Sequence, residues 1–128
     1  MKKLMALCLL ACSFHSLAQD NKPFFQSKSY NVYLSLGKCT AEDIECDQVT
    51  YHAVNKNNHH QLTLKGSTLN IGPSRDFRGY IFRQAPYTYV LAPAEEGSSE
   101  NNAWFLQVTK TTPHGDDVVF RENGSVSR

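Results

Sequence analysis

The sequence has few of the features that would assign it to a large functional class. Its 128 residues include one tryptophan, two methionines and four cysteines, and the formal net charge is only +1. Nucleic-acid-binding proteins are usually markedly basic, so this balance argues against that class. No apolar run approaches the roughly 18–20 residues that a membrane-spanning helix needs, so we expect no membrane span. Hydrophobic residues still make up 41% of the chain, which is typical of one soluble globular domain.

Motifs for catalysis and for cofactor binding are also missing. The chain has no Gly-x-Ser-x-Gly nucleophile elbow and no glycine-rich phosphate loop. His52 and His60 could pair across a hairpin, but no carboxylate or thiol is spaced to complete a metal site. The acidic pairs at 95–96 and 116–117 lie among polar loop residues, which favours solvated charges over an acid–base couple. We therefore predict a protein that is not an enzyme and that uses no metal or cofactor.

The N-terminus has the organisation of a bacterial secretory signal peptide. Two lysines precede the short apolar segment Leu4–Ala11, and small residues occupy the positions that precede a cleavage site between Ala18 and Gln19. This pattern predicts a signal peptide at 1–18, a single β-domain at 19–128 and a periplasmic location. A lipoprotein signal is the alternative, because the residues before Cys12 resemble a lipobox and Cys12 would then be lipidated.

Cleavage before Gln19 would change both the charge and the cysteine count. The number of lysines and arginines would fall from 13 to 11 against 12 acidic residues, giving a formal charge of −1. Only Cys39 and Cys46 would remain, and in an oxidising compartment one pair predicts one disulfide. The bond would close an eight-residue loop, worth roughly 2.5 kcal/mol on the chain-entropy model.

Alternation of apolar and polar residues predicts about seven short β-strands. Turn-forming residues separate the strands, and no stretch has apolar residues at helical spacing over three turns. We therefore predict an all-β fold, a small antiparallel barrel or sandwich. The predicted strands lie near 30–36, 49–53, 62–71, 77–83, 87–91, 104–108 and 118–120. We expect a bulge at Gly66 in the third strand. The last strand begins with Val118 and Phe120, and Asn123-Gly124 ends it.

Two charged clusters are candidate partner-binding surfaces. The first is an acidic group in and beside the loop that the disulfide would close: Glu42, Asp43, Glu45 and Asp47. A constrained loop loses little entropy on association, and its charge would steer a cationic partner. The second cluster combines residue types that are enriched at interfaces: Arg75, Arg78 and Arg83 around Tyr80 and Phe82.

The order of segments over about residues 39–91 resembles that of a group of known proteins. Cys46 is followed by the hairpin, by Leu62-Thr63-Leu64-Lys65-Gly66, by Phe77-Arg78-Gly79-Tyr80-Ile81-Phe82-Arg83 and by Tyr87–Tyr89. This pattern resembles small exported β-proteins of Gram-negative bacteria with a single disulfide. In size, signal peptide and β content the chain is similar to periplasmic lysozyme inhibitors and to immunity proteins that neutralise cell-wall-directed effectors. Those inhibitors carry a Ser-Gly-Ser-Gly-x-x-Tyr loop, from which the nearest segment here, Gly72–Phe77, departs.

These observations predict a non-enzymatic periplasmic binding protein that inhibits or neutralises a secreted enzyme, with a cationic cell-wall-directed enzyme as the partner. The alternative is a carrier of a small molecule or lipid in the mouth of a β-barrel. Its ligand would contact the aromatic residues Tyr80, Phe82, Tyr87, Tyr89 and Trp104.

Intact-mass measurement of the protein isolated from the periplasm tests the processing prediction. We expect a mature chain that begins at Gln19, because the signal pattern ends at Ala18. A diacylated Cys12 at the N-terminus would contradict this prediction and support the lipoprotein alternative.

Overall fold

A computed structural model describes residues 22–40, 43–94 and 102–127, and all regular secondary structure in these ranges is β-strand. The predicted signal peptide at 1–18, Cys12, Gln19 and Glu42 lie outside the described residues. Among the described segments, none forms a helix of the length and apolarity needed to cross a bilayer. The strands are β1 (Phe25–Ser27), β2 (Tyr30–Ser35), β3 (Val49–Asn55), β4 (Gln61–Ile71), β5 (Asp76–Gln84), β6 (Tyr87–Pro93), β7 (Ala103–Thr112) and β8 (Gly115–Val126).

The strands form a closed antiparallel barrel in which each strand pairs with the next one along the chain. β1 pairs with β2 on one side and with β8 on the other, which closes the sheet. The all-β prediction is confirmed, and the architecture is a barrel of eight strands instead of about seven. The additional strand is β1, whose three residues are too few to show a period-two pattern.

The predicted alternation decides which side chains fill the barrel. On β3, Val49, Tyr51 and Ala53 are buried, whereas Thr50 and His52 between them are partly exposed. The same alternation holds on β7, where Trp104, Leu106 and Val108 are buried. The interior residues with the lowest exposure come from most of the strands: Phe25, Val32, Val49, Tyr51, Phe82, Leu91 and Leu106.

Two details of the predicted strands are wrong, and both have a physical reason. β4 runs without a break through Gly66, and its pairing irregularity lies between Thr68 and Asn70. Gly66 is needed because a Cβ there would lie 2.1 Å from the carbonyl oxygen of Ile81. β8 does not end at Asn123-Gly124 but continues to Val126, because β1 supplies a pairing partner for this segment.

Antiparallel connectivity sorts the strand connections between the two ends of the barrel. The connections β2–β3, β4–β5 and β6–β7 lie at one end, which we call the loop end. The connections β1–β2, β3–β4, β5–β6 and β7–β8 lie at the other, which we call the turn end. Residues that are distant in sequence but near connections of the same set are therefore neighbours in space.

A carboxylate on β8 reinforces the short pairing of β1. Glu122 accepts hydrogen bonds from the Ser27 hydroxyl, from the Ser29 backbone N–H at 2.9 Å and from the Ser29 hydroxyl at 2.8 Å. Partial burial opposes ionisation of Glu122, but these hydrogen bonds and the charge of Lys28 outweigh it and lower the pKa of the carboxyl below its usual value of 4.5. The ionised form of Glu122 therefore stabilises the closure of the barrel.

Replacing this carboxylate should make stability less dependent on pH in the acidic range. We expect Glu122→Gln to lower the free energy of unfolding by about 1 kcal/mol at neutral pH, because hydrogen bonds to an ionised group are lost. Because the pKa of Glu122 is lower in the folded state than in the unfolded chain, its contribution to the free energy of unfolding is fully present above about pH 4.5. This contribution is lost as the pH falls through the pKa of the folded state. The difference between the two proteins should therefore vanish at lower pH.

Urea unfolding of both proteins at several pH values measures this effect. Asp116→Asn, at an exposed position of β8, is the matched control and should leave the free energy of unfolding within about 0.5 kcal/mol of the wild type. A constant difference between wild type and Glu122→Gln from pH 7 down through the titration of the carboxyl would contradict the assignment.

Candidate functional site

The predicted disulfide is confirmed, and it attaches the β2–β3 loop to the core at the loop end. Cys39 and Cys46 are bonded, with their Cα atoms 5.8 Å apart. Cys46 is buried within the hydrophobic core. Its backbone N–H donates to the Thr68 hydroxyl on β4 at 3.0 Å. The loop is therefore held both covalently and by the neighbouring strand.

Asn70 links this loop to the β4–β5 turn. Its side-chain amide donates to the carbonyl oxygen of Ile44 at 3.1 Å and to that of Arg75 at 2.9 Å. Its amide oxygen accepts a hydrogen bond from the Thr68 hydroxyl at 2.7 Å. One side chain on β4 thus connects two segments that are far apart in sequence and holds them as one surface.

The acidic cluster and one of the predicted arginines meet on this surface. Arg75 forms an ion pair with Glu45 at 3.0 Å between Nη1 and Oε1, and both side chains are exposed. Exposed pairs of this kind contribute about 0–1 kcal/mol, so the pair orients the two segments more than it stabilises the fold. Asp43 accepts a hydrogen bond from the backbone N–H of Thr40 at 2.8 Å, and Asp47 is exposed beside the disulfide.

The three predicted arginines do not form one cluster. Arg75 lies in the β4–β5 turn, and Arg83 lies near the opposite end of β5, where it pairs with Thr88. At about 3.3 Å per residue, the strand separates them by roughly 25 Å. Arg78 is half-buried, between these two positions. Of the basic residues named from the sequence, only Arg75 touches the acidic loop.

An aromatic cluster closes the barrel beneath the loop end. The ring centroids of Phe24 and Trp104 are 5.3 Å apart, edge to face, and Tyr80 stacks on Trp104 at 6.2 Å. Trp104 is 3% exposed, and its indole N–H has no acceptor among the described residues. Tyr80, predicted as a partner contact, is a half-buried member of this cluster. The loop end is therefore filled with rings.

A bulge in β5 brings one further ring to the surface of this cluster. The extra residue lies between Phe77 and Tyr80, so that both rings are on the same side and 5.3 Å apart. Gly79 adopts a φ of 121° there, which side-chain-bearing residues rarely do. Phe77 remains 43% exposed. The bulge therefore presents an aromatic ring to solvent.

Two more exposed apolar side chains belong to segments at the same end of the barrel. Ile44 is in the disulfide loop and is 62% exposed, and Ile71 is at the end of β4 and is 52% exposed. Ile71 pairs with Asp76, and Asn70 pairs with Phe77. We call Ile44, Glu45, Ile71, Arg75 and Phe77 the loop-end surface. Its apolar members were missed from the sequence because Ile44 lies in a loop, and Ile71 and Phe77 lie at the ends of predicted strands, where no residue pattern marks exposure.

The aromatic residues predicted to hold a small ligand are divided among three parts of the barrel. Tyr80 and Trp104 are in the cluster at the loop end. Phe82 is completely buried in the middle. Tyr87 and Tyr89 line a cavity at the turn end. The five residues therefore do not form one site.

The two histidines that could have formed a metal site are also separate. His52 faces outward on β3, with its Nδ1 2.8 Å from the Thr63 hydroxyl. His60 lies at the rim of the turn-end cavity. Within the described ranges, no group of three or more histidine, cysteine or acidic residues is placed to hold a metal ion.

No protein family model matches this chain, and neither the curated proteins nor the solved structures include one that is significantly similar to it. The functional argument therefore depends on the residues and geometry of this chain.

Removal of the disulfide should destabilise the protein without abolishing the barrel. We expect Cys39→Ala with Cys46→Ala to lower the free energy of unfolding by roughly 2–4 kcal/mol, because the unfolded chain regains the freedom of the loop. Urea unfolding with and without reductant measures this. Reductant should lower the free energy of unfolding of the wild type and leave that of the double variant unchanged. Two free thiols in freshly isolated native protein would contradict the assignment.

Proposed function

We propose that this chain is a non-enzymatic periplasmic binding protein that inhibits or neutralises a secreted enzyme through the loop-end surface. The observation that carries this proposal is the exposure of Ile44, Ile71 and Phe77 on segments that a disulfide and Asn70 hold together. Exposed apolar groups rimmed by charged residues are typical of protein–protein interfaces.

The composition of the loop-end surface supports a protein partner. Phe77 on β5 offers an aromatic ring, and Arg75 in the preceding turn offers an exposed guanidinium group; aromatic residues and arginine are enriched where interfaces are energetically strongest. The ring is backed by Tyr80 and Trp104, at 5.3 and 6.4 Å between centroids. A partner would therefore meet a supported ring instead of a side chain that must first be ordered.

The rigidity of this surface also favours inhibition by binding. The disulfide limits the loop, Asn70 joins it to the β4–β5 turn, and Glu45 pairs with Arg75. Association costs less free energy when the contacting segments are already ordered. A preformed surface of this kind suits tight binding to an enzyme.

The charge around the surface favours a cationic partner. Glu45 is paired with Arg75, whereas Asp43 and Asp47 add negative charge beside the exposed isoleucine of the loop. Such charges act mainly on the association rate constant, and salt screens their field over a Debye length of about 8 Å at physiological ionic strength. Together with the resemblance to lysozyme inhibitors and immunity proteins, this charge makes a basic cell-wall-directed enzyme the proposed partner.

A panel of lysozymes and other peptidoglycan hydrolases tests the proposal, with inhibition and binding kinetics as readouts. For an enzyme that is inhibited, Phe77→Ala and Ile71→Thr should accelerate dissociation, because they remove buried contact area from the complex. Asp47→Lys should slow association at low salt and leave dissociation nearly unchanged. All three positions are exposed, so the fold should survive these changes.

The turn end provides matched controls for each variant. Val118→Thr alters an exposed β-branched residue of β8, and Asp116→Lys reverses an exposed charge near the β7–β8 turn. Neither should alter binding. Equal effects of Ile71→Thr and Val118→Thr, or inhibition that survives Phe77→Ala unchanged, would contradict a role for the loop-end surface.

A further inference from the structure

The turn end contains a cavity that the proposed function does not use. Its volume is about 360 Å³, which is within the range of small-molecule sites. We call it the tyrosine cavity. Its wall combines four tyrosines with apolar residues and a polar rim: Tyr30, Tyr51, Ala53, Asn55, Asn58, His60, Gln61, Leu62, Tyr87, Tyr89, Leu106, Val108 and Phe120.

The cavity exists because the two ends of the barrel are filled differently. At the loop end the rings of Phe24, Tyr80 and Trp104 pack on one another across the interior. At the turn end, small Ala53 occupies an inward position on β3, and the rings stay on the wall. Tyr30 packs edge to face on Phe120 with the centroids 5.5 Å apart. The space enclosed by the strands is left open.

The floor of the cavity is aromatic and firmly packed. Tyr51 and Leu106 are each 1% exposed, and the Tyr51 ring lies 4.9 Å from Phe82 and 5.8 Å from Tyr89 between centroids. Because these side chains belong to the core, the floor is preformed. A flat apolar molecule would replace water against it without rearranging the barrel.

The polar groups of the cavity are phenols, side-chain amides and one imidazole. No lysine, arginine, aspartate or glutamate is among its described lining residues. Burial, with smaller contributions from neighbouring tyrosines, raises the pKa of Tyr51 and of Tyr89 above the usual value of 10.0. Both phenols therefore stay protonated at physiological pH. Neither hydroxyl has a protein hydrogen-bond partner in the described part of the chain.

The β3–β4 turn gives the rim a defined shape. The side-chain oxygen of Asn55 accepts a hydrogen bond from the backbone N–H of Asn57 at 2.8 Å. The side-chain oxygen of Asn58 accepts one from the backbone N–H of His60 at 2.9 Å. These oxygens are occupied by the turn itself. The His60 ring and the Gln61 amide remain at the rim to face a ligand's polar end.

From this arrangement we propose that the tyrosine cavity binds a small, neutral, planar aromatic molecule that carries a hydrogen-bond acceptor. Its ring system lies against Leu62, Leu106 and Phe120, and its acceptor takes hydrogen bonds from tyrosine hydroxyls. A charged ligand is disfavoured, because it would be desolvated with no lysine, arginine or carboxylate among the described lining residues. The site is independent of the loop-end surface, since it opens at the opposite end.

Binding of the neutral naphthyl ketone Prodan to the complete β-domain at 19–128, followed by its fluorescence, tests the proposal. Prodan should bind saturably with one site per chain, and its emission should shift to the blue. The anionic dye anilinonaphthalene sulfonate, which has a similar ring system, should bind at least about tenfold more weakly, because its charge would be buried without a partner.

Two variants locate the probe. Leu62→Trp fills the mouth at a half-buried position and should weaken Prodan binding about tenfold or more, because the enlarged side chain takes up the ligand's space. Tyr89→Phe keeps the ring but removes a donor, so the emission of bound Prodan should move further to the blue. Phe77→Ala, at the loop end, is the control and should bind Prodan as the wild type does.

Several results would overturn the proposal. They are the absence of saturable Prodan binding to the wild type, unchanged affinity in folded Leu62→Trp, loss of binding in Phe77→Ala, and equal affinity for the sulfonate dye. Far-ultraviolet circular dichroism of each variant separates a filled cavity from a failure to fold.

Discussion

Closure of the sheet by β1 is the constraint on which the rest of the structure depends. A strand of three residues must pair with β2 and β8 at once, since otherwise the meander would be an open sheet with two free edges. Phe25 is completely buried in this strand and is opposite Val32 on one side and Val126 on the other. The hydrogen bonds from Ser27 and Ser29 to Glu122 add side-chain contacts where the backbone ladder is short.

Closure also creates the two ends, which differ in how their interiors are filled. At the loop end, rings occupy the interior and the disulfide-linked loop presents exposed apolar and charged side chains outside it. At the turn end, the connections are short and the interior is left open as the tyrosine cavity. The proposed partner and the proposed ligand thus belong to opposite ends of one rigid scaffold, which is why variants at one end serve as controls for the other.

Much of this fold follows from local patterns in the sequence. The alternation around Tyr51 and around Leu106 correctly identifies inward-facing residues, and the pair Cys39–Cys46 follows from the cysteine count. What local patterns do not contain is the end of the barrel to which a residue belongs. Tyr89 and Trp104 both alternate as interior residues, yet only the register of the closed sheet places one at the turn end and the other at the loop end. The contact between Glu45 and Arg75 depends on the same long-range pairing, and the exposure of Phe77 depends on a bulge that no residue pattern marks.

The most direct test of this account is measurement of interstrand nuclear Overhauser contacts at β1 by NMR of the protein in solution. A closed barrel predicts contacts from Phe25 to Val32 and also from Phe25 to Val126, together with slow exchange of the paired amides of β1 and β8. Contacts from Phe25 to Val32 alone, with rapidly exchanging amides along the last residues of β8, would show an open sheet and contradict the separation of the two ends.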